Sequence, residues 1–146
     1  MNHIRHATRA DLCRITEIEI FCYRLNFYPI FRSDEFYFHD LTVLSRMEEL
    51  GRLLNELWVY DDGAVKGFIR VHGTELCKLF VEPVLQSQGI GAALLAQAVN
   101  ELGVRHLWAL EKNTRAIAFY QRHGFRLTEE RRLEEDTTEY LVRMER

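Results

Sequence analysis

Proline is scarce in this chain. Only Pro29 and Pro83 occur in 146 residues, and glycine is held to eight. That composition excludes a Pro/Gly-rich linker or a long disordered tract. Cysteine is equally sparse. Cys13, Cys22 and Cys77 contain no Cys-x-x-Cys pair, so neither a disulfide framework nor a zinc knuckle is expected, and the three read as reduced thiols, Cys77 as strand packing. No apolar run approaches the roughly 18 residues of a membrane span. Met1 to Arg5 opens without the apolar core of a signal peptide. An excess of positive charge is also missing: the formal net charge is −3, which argues against a nucleic-acid surface. The six histidines show no metal-ligand spacing, so no metal is expected. These absences lead to the expectation of a cytoplasmic protein without membrane or nucleic-acid partners.

What is present is enough apolar sequence, 47%, to form one ordinary core. A single domain over residues 1–146 is expected, with no repeat and no boundary. Strand and helix periodicities alternate along it. His3 to Ala7 reads as a strand, and Thr8 with Asp11 stands in capping-box position before a helical stripe of Leu12, Ile15, Ile18, Cys22 and Leu25. Pro29 is expected to end that helix, and a second is expected over Asp40 to Leu50. Leu57–Tyr60 and Val65–Val71 flank a tight Asp61-Asp62-Gly63 turn and read as a hairpin. Glu75–Val81 is a near-continuous apolar run, the pattern of a central strand covered on both faces. A helix over Gly89–Leu102, a strand over Val104–Leu110, a helix over Asn113–His123 stopped by Gly124, and an antiparallel pair Phe125–Thr128 with Glu139–Met144 complete the reading. The charged run Glu129 to Asp136 reads as a solvated turn between the last two strands.

The most informative stretch runs from Leu79 to Gly91. A strand ends at Pro83, a short polar loop follows, and Gly89-Ile90-Gly91 opens a helix. The first turn of a helix offers unpaired N–H groups and about half a positive charge. Gly89 and Gly91 have no side chain to hold a ligand away. Gln86, Ser87, Gln88, Gly89, Ile90 and Gly91 can therefore cradle a phosphate on their backbone. No Gly-Lys-Ser/Thr follows, which excludes a Walker A loop. Leu94 stands where a dinucleotide fingerprint needs glycine or alanine.

A second segment fixes the identity of that ligand. Asn113-x-x-Ala116-x-x-Phe119-Tyr120-x-x-x-Gly124-Phe125, taken with Gln86-x-x-Gly89-x-Gly91, strongly resembles the GNAT superfamily of acetyl-CoA-dependent N-acetyltransferases. The opening Ile4 to Asp11 and the pair Val81-x-Pro83 resemble it too, so the likeness spans nearly the whole chain. Phe21 to Gly51 has no specific match. The resemblance implies a mixed α/β (α+β) fold, with a mostly antiparallel twisted sheet of six to seven strands and about four helices. It implies acetyl-CoA as co-substrate. The coenzyme pyrophosphate would sit on the backbone of Gln88, Gly89, Ile90, Gly91 and Ala92, and the pantetheine arm along Leu79, Phe80 and Val81, in a gap where that strand and the one from Val104 splay apart. Asn113 would touch the coenzyme arm, and Tyr120 would lie near the thioester sulfur.

The chemistry agrees with those roles. An aliphatic amine, with pKa near about 10.4, must lose a proton before attacking a thioester. The tetrahedral oxyanion needs a fixed donor, such as a backbone N–H near Val81. The leaving thiolate needs a proton, which a tyrosine hydroxyl such as Tyr120 can supply. Some family members carry a glutamate at the start of the central strand that deprotonates the amine, which makes Glu75 the expected base. Some relatives that modify protein N-termini carry a catalytic glutamate where this chain has Trp108, which argues against an N-terminal peptide acceptor. A small-molecule amine is expected ahead of a protein amine, with protein lysine left open. Asn113 is also a good helix cap. The alternative is a non-catalytic coenzyme A-binding sensor or interaction module. Aromatics crowd the unmatched segment from Phe21 to Phe38 and suit either an acceptor pocket or core packing. A monomer or homodimer is expected.

Overall fold

The structure is a computed structural model and describes residues 2–146. Alternating apolar side chains produce seven strands: β1 (Ile4–His6), β2 (Leu57–Asp61), β3 (Val65–His72), β4 (Glu75–Val81), β5 (His106–Leu110), β6 (Arg126–Leu133) and β7 (Tyr140–Glu145). Helical spacing produces α1 (Leu12–Asn26), the single turn α2 (Tyr28–Phe31), α3 (Val43–Arg52), α4 (Ile90–Leu102) and α5 (Thr114–Arg122). The strands form one sheet in the order β1-β2-β3-β4-β5-β7-β6. Every pairing is antiparallel except β4 with β5.

Two apolar layers hold the sheet. Ile15, Ile18 and Cys22 of α1 close one face against Leu57, Val59 and Phe68. Leu94, Leu95 and Ala98 of α4 close the other against Ile69, Leu107 and Met144. Each buried Leu, Ile, Val, Phe or Met side chain among them contributes roughly 1.5–3 kcal/mol by leaving water. Gly67 permits the second contact. A Cβ there would stand 3.0 Å from the Leu94 Cδ1 and 3.0 Å from the Phe80 carbonyl oxygen, so any side chain would push α4 off the sheet.

The ends of the elements follow local chemistry. The Asp11 carboxylate accepts the Thr8 N–H at 2.8 Å and both terminal nitrogens of Arg5 at 2.8 and 3.0 Å, which ties β1 to the start of α1. Pro29 does not end the first helix. The chain turns at Phe27, and Pro29 sits in the first turn of α2, where its missing N–H would have had no partner. The second expected helix begins at Val43 rather than Asp40, because Thr42 caps it by accepting the Ser45 N–H at 3.2 Å. Glu35–Asp40, before that cap, makes a wide turn closed by a Leu41 N–H to Phe36 carbonyl bond of 2.8 Å. The charged run is mostly strand. β6 continues to Leu133 because it is the sheet edge, where Arg131 pairs with Glu111 and Arg132 lies over Trp108. Only residues 134–139 form the turn.

Candidate active site

β4 and β5 pair in parallel at Glu75–His106 and Leu76–Leu107, and no further. Beyond that rung the strands part, and a cleft of about 1520 Å³ opens between them. Leu79, Phe80 and Val81 line it from β4, and Leu107, Trp108, Ala109 and Leu110 line it from β5. The Glu82 N–H donates to the Lys66 carbonyl at 2.9 Å, and the register pairs Gly67 with Val81 and Phe68 with Phe80. Bonded and unbonded pairs alternate in an antiparallel ladder. Phe80 therefore exchanges bonds with Phe68, while Leu79 and Val81 turn their N–H and carbonyl groups toward the gap. An extended ligand can pair there as an added strand.

At the far end of β4 the cleft reaches the start of α4. Gln86, Ser87, Gly89, Ile90, Gly91 and Ala92 all line it. Gly89 is left-handed, with φ of 83°, and its carbonyl receives the Ala93 N–H at 3.0 Å. The N–H groups of Ile90, Gly91 and Ala92 precede the first such bond and stand free for an anion. Gln88 is exposed and lies outside the cleft lining.

Helix α5 supplies the opposite wall. Asn113 caps it, accepting the Ala116 N–H at 3.3 Å, and also borders the cleft. Tyr120 packs edge-on against Phe119 and Phe125, with ring centroids 5.3 and 5.9 Å away. Its hydroxyl makes no hydrogen bond among the described residues, and burial pushes its pKa up. It therefore stays protonated at neutral pH and is available as a donor.

Glu75 is not brought to this site. It lies at the closed end of the splay, 3.7 Å from the His106 Nε2, and does not line the cleft. Six residues of strand, about 20 Å, separate it from Val81. The strand reading identified its position but not the direction in which the cleft opens.

Another set of charged groups occupies the cleft wall instead. Glu19 of α1 is fully buried, and it accepts from Arg46 at 2.6 Å and from Lys78 at 2.6 Å. The Lys78 ammonium also donates to the Tyr23 hydroxyl at 2.6 Å. Burial alone would lower the Lys78 pKa, but its contacts with Tyr23 and Glu19 hold it above the ordinary value. Lys78, Arg46 and Tyr23 line the cleft. Beside them the Cys22 thiol, its pKa pushed up to about 12 by burial and by the Glu82 charge, donates to the Val81 carbonyl at 3.3 Å. Sequence reading missed this cluster, though it left a signal. Lys78 is a charge in mid-strand, and Glu19 falls on the helical stripe of Ile15, Ile18 and Cys22.

The remaining wall is aromatic and acidic. Phe27, Phe31, Phe36 and Tyr37 line it together with Glu134, Glu135 and Asp136 of the β6–β7 turn. Tyr37 has its pKa raised to about 12, first by burial, then by Tyr23 and by the charge of Glu134. The turn thus faces the aromatic segment across the cleft. Among the described residues, one group of possible metal ligands gathers, Glu35, His39 and Asp40, and all three are exposed and outside the cleft.

Comparison with known proteins gives a concordant picture. The family model for an acetyltransferase (GNAT) domain matches residues 54–127. The peptidyl-lysine N-acetyltransferase YiaC of Escherichia coli strain K12 is 31% identical over 127 residues, spanning 86% of this chain and 84% of that protein. The peptidyl-lysine N-acetyltransferase YjaB of Salmonella typhimurium strain LT2 is 31% identical over 98 residues, spanning 62% of this chain and 68% of its own length. Among solved structures, the PaiA N-acetyltransferase of Thermoplasma acidophilum, in complex with coenzyme A, superposes with a TM-score of 0.71 over 98% of both chains at 19% identity.

Proposed function

The chain belongs to the GNAT acetyltransferase family, and on that premise we propose that it transfers the acetyl group of acetyl-CoA directly to a primary amine, the side chain of a protein lysine. Residues 1–146 act as one catalytic domain. The observation that carries the reading is the continuity of the splay between β4 and β5 with the α4 N-terminus and with an aromatic, acidic wall. The first two suit a long pantetheine arm ending in a pyrophosphate. The third suits a cation on a flexible aliphatic stem. A protein lysine is favoured over a small-molecule acceptor here, because both curated relatives are named for peptidyl-lysine and Glu134, Glu135 and Asp136 attract a positively charged segment.

The geometry supports the following steps. Pantetheine pairs with Leu79 and Val81, and the pyrophosphate binds the N–H groups of Ile90, Gly91 and Ala92. The thioester carbonyl would then lie toward Leu79, away from the pyrophosphate, where the Leu79 N–H can steady the oxyanion as the amine attacks. Tyr120 gives its proton to the departing sulfur. The cleft holds donor and acceptor together, so no acyl-enzyme is needed. The test is thiol release from acetyl-CoA with a lysine peptide blocked at its N-terminus, run beside small amines such as spermidine. Faster release with the peptide supports a protein acceptor. Coenzyme A binding without transfer to any amine supports the sensor alternative.

A further inference from the structure

We infer that Tyr23 is the group that takes the proton from the acceptor amine, and that Lys78 is a positioning residue that stabilises its phenolate. This rests on the acetyl-transfer reading above.

Four observations meet at this pair. First, Tyr23 lines the cleft beside β4. Its neighbour Cys22 donates to the Val81 carbonyl at 3.3 Å, and its ring packs edge-on against Phe80 at 5.6 Å. The hydroxyl therefore lies on the α1 side of the strand that would hold the thioester. Second, that hydroxyl receives the Lys78 ammonium at 2.6 Å, and its own hydrogen has no acceptor among the described residues. It is oriented by one partner and free on its other side. Third, Arg46 and Lys78 are two cations that both meet the Glu19 carboxylate beside Tyr23, with Glu49 also acting on Arg46. Side-chain exposure is 22% for Arg46, 13% for Lys78 and none for Glu19, so solvent screens them weakly. Fourth, the expected base, Glu75, is outside the cleft.

The groups that face Tyr23 come from several elements: Glu19 on its own helix, Lys78 on β4, Arg46 on α3, and Tyr37 with Glu134 behind it across the cleft. Lys78 makes the direct contact, at 2.6 Å. Lys78 also acts on the acceptor, because a fixed ammonium disfavours a second one beside it and favours the neutral amine.

The step balances. An N–H bond of the substrate ammonium breaks as an O–H bond forms on the Tyr23 phenolate. The freed lone pair makes the C–N bond to the thioester carbonyl, and collapse breaks the C–S bond. The sulfur takes the Tyr120 proton, and the second proton of the attacking nitrogen restores Tyr120. Tyr23 then returns its proton to solvent, so one proton is released per turnover.

The experiment is the pH profile of kcat/KM on a lysine peptide for the wild type, Tyr23→Phe, Lys78→Met and Lys78→Arg. Tyr23→Phe keeps the ring against Phe80 and should lower kcat/KM by about 10²–10³-fold and remove the rising limb. Lys78→Met should move that limb to higher pH, so that activity recovers as pH increases, and Lys78→Arg should keep it in place. Coenzyme A affinity, measured by calorimetry, should hold in all three. A Tyr23→Phe enzyme within about threefold of wild type on the same limb overturns the assignment. So does a Lys78→Met loss equal at every pH, which is the mark of a structural role. Wild-type protein inactive on every amine would overturn the acetyl-transfer reading as well, and so is distinguishable from failure of the Tyr23 role alone.

Discussion

Leu76 and Leu107 form the last rung at which β4 and β5 pair, and the whole candidate site hangs from that rung. On its near side the sheet is continuous, and Glu75 closes it. On its far side the strands part, leaving the N–H and carbonyl of Leu79 and the N–H of Val81 without a partner in the sheet, while the Val81 carbonyl accepts the Cys22 thiol. Buried backbone groups without partners are costly, so this region is suited to receive a ligand that completes the ladder.

In the proposed mechanism Tyr120 is the donor to the departing sulfur. Tyr120→Phe removes one hydroxyl and keeps the ring packed on Phe119 and Phe125. We expect kcat to fall by about 10²-fold or more with little change in the KM for acetyl-CoA, measured by steady-state thiol release. An unchanged kcat removes Tyr120 from the acid role.

Gly89 has φ of +83°, a conformation that costs other residues about 1–2 kcal/mol. A side chain there also displaces the loop that presents the Ile90, Gly91 and Ala92 N–H groups. Gly89→Val should raise the KM for acetyl-CoA by about tenfold, the equivalent of 1.4 kcal/mol. The KM for the amine should move much less.

Gly67→Ala tests the packing that supports α4. The new Cβ meets the Phe80 carbonyl, which is backbone and cannot swing aside, as well as the Leu94 methyl. Overpacking of this kind costs about 1–3 kcal/mol. The melting temperature should drop by about 3–10 °C.

Much of the fold was legible in the sequence because its elements are strongly patterned. The hairpin of β2 and β3, the Thr8–Asp11 cap and the turn into α4 follow from local spacing alone. The segment from Phe27 to Leu41 was not, because its wide turn and one-turn helix have no period of their own, and Pro29 reads the same whether it ends one helix or opens another. The coenzyme half of the site came from glycines and a helix start, which are local features. The proposed acceptor half did not. Glu19, Tyr23, Arg46 and Lys78 lie on three separate elements, and only packing α1 and α3 against β4 brings them together.

Removing Glu19 should expose how much that packing depends on charge balance. Glu19→Ala leaves Lys78 and Arg46 without their shared carboxylate in the cleft wall. Breaking a buried pair costs about 3–5 kcal/mol. The melting temperature should fall more for Glu19→Ala than for Gly67→Ala.

Acid stability should report the Arg5–Asp11 contact. Hydrogen bonds from the Arg5 guanidinium hold the Asp11 carboxyl below its ordinary value of 3.8. A carboxylate whose pKa is depressed by folding stabilises the fold fully above the unfolded value, and that stability is lost as pH falls through the folded one. Asp11→Asn should therefore lower the melting temperature at neutral pH and flatten its decline below about pH 4.

The most direct test of the account is mass spectrometry of a lysine peptide, N-terminally blocked, after incubation with the protein and acetyl-CoA, with the released thiol counted in parallel. The account predicts one added acetyl group on the lysine nitrogen per thiol released, in the wild type and with a strong loss in Tyr120→Phe. Thiol release without acetylated lysine, or acetylation undiminished in Tyr120→Phe, would contradict it.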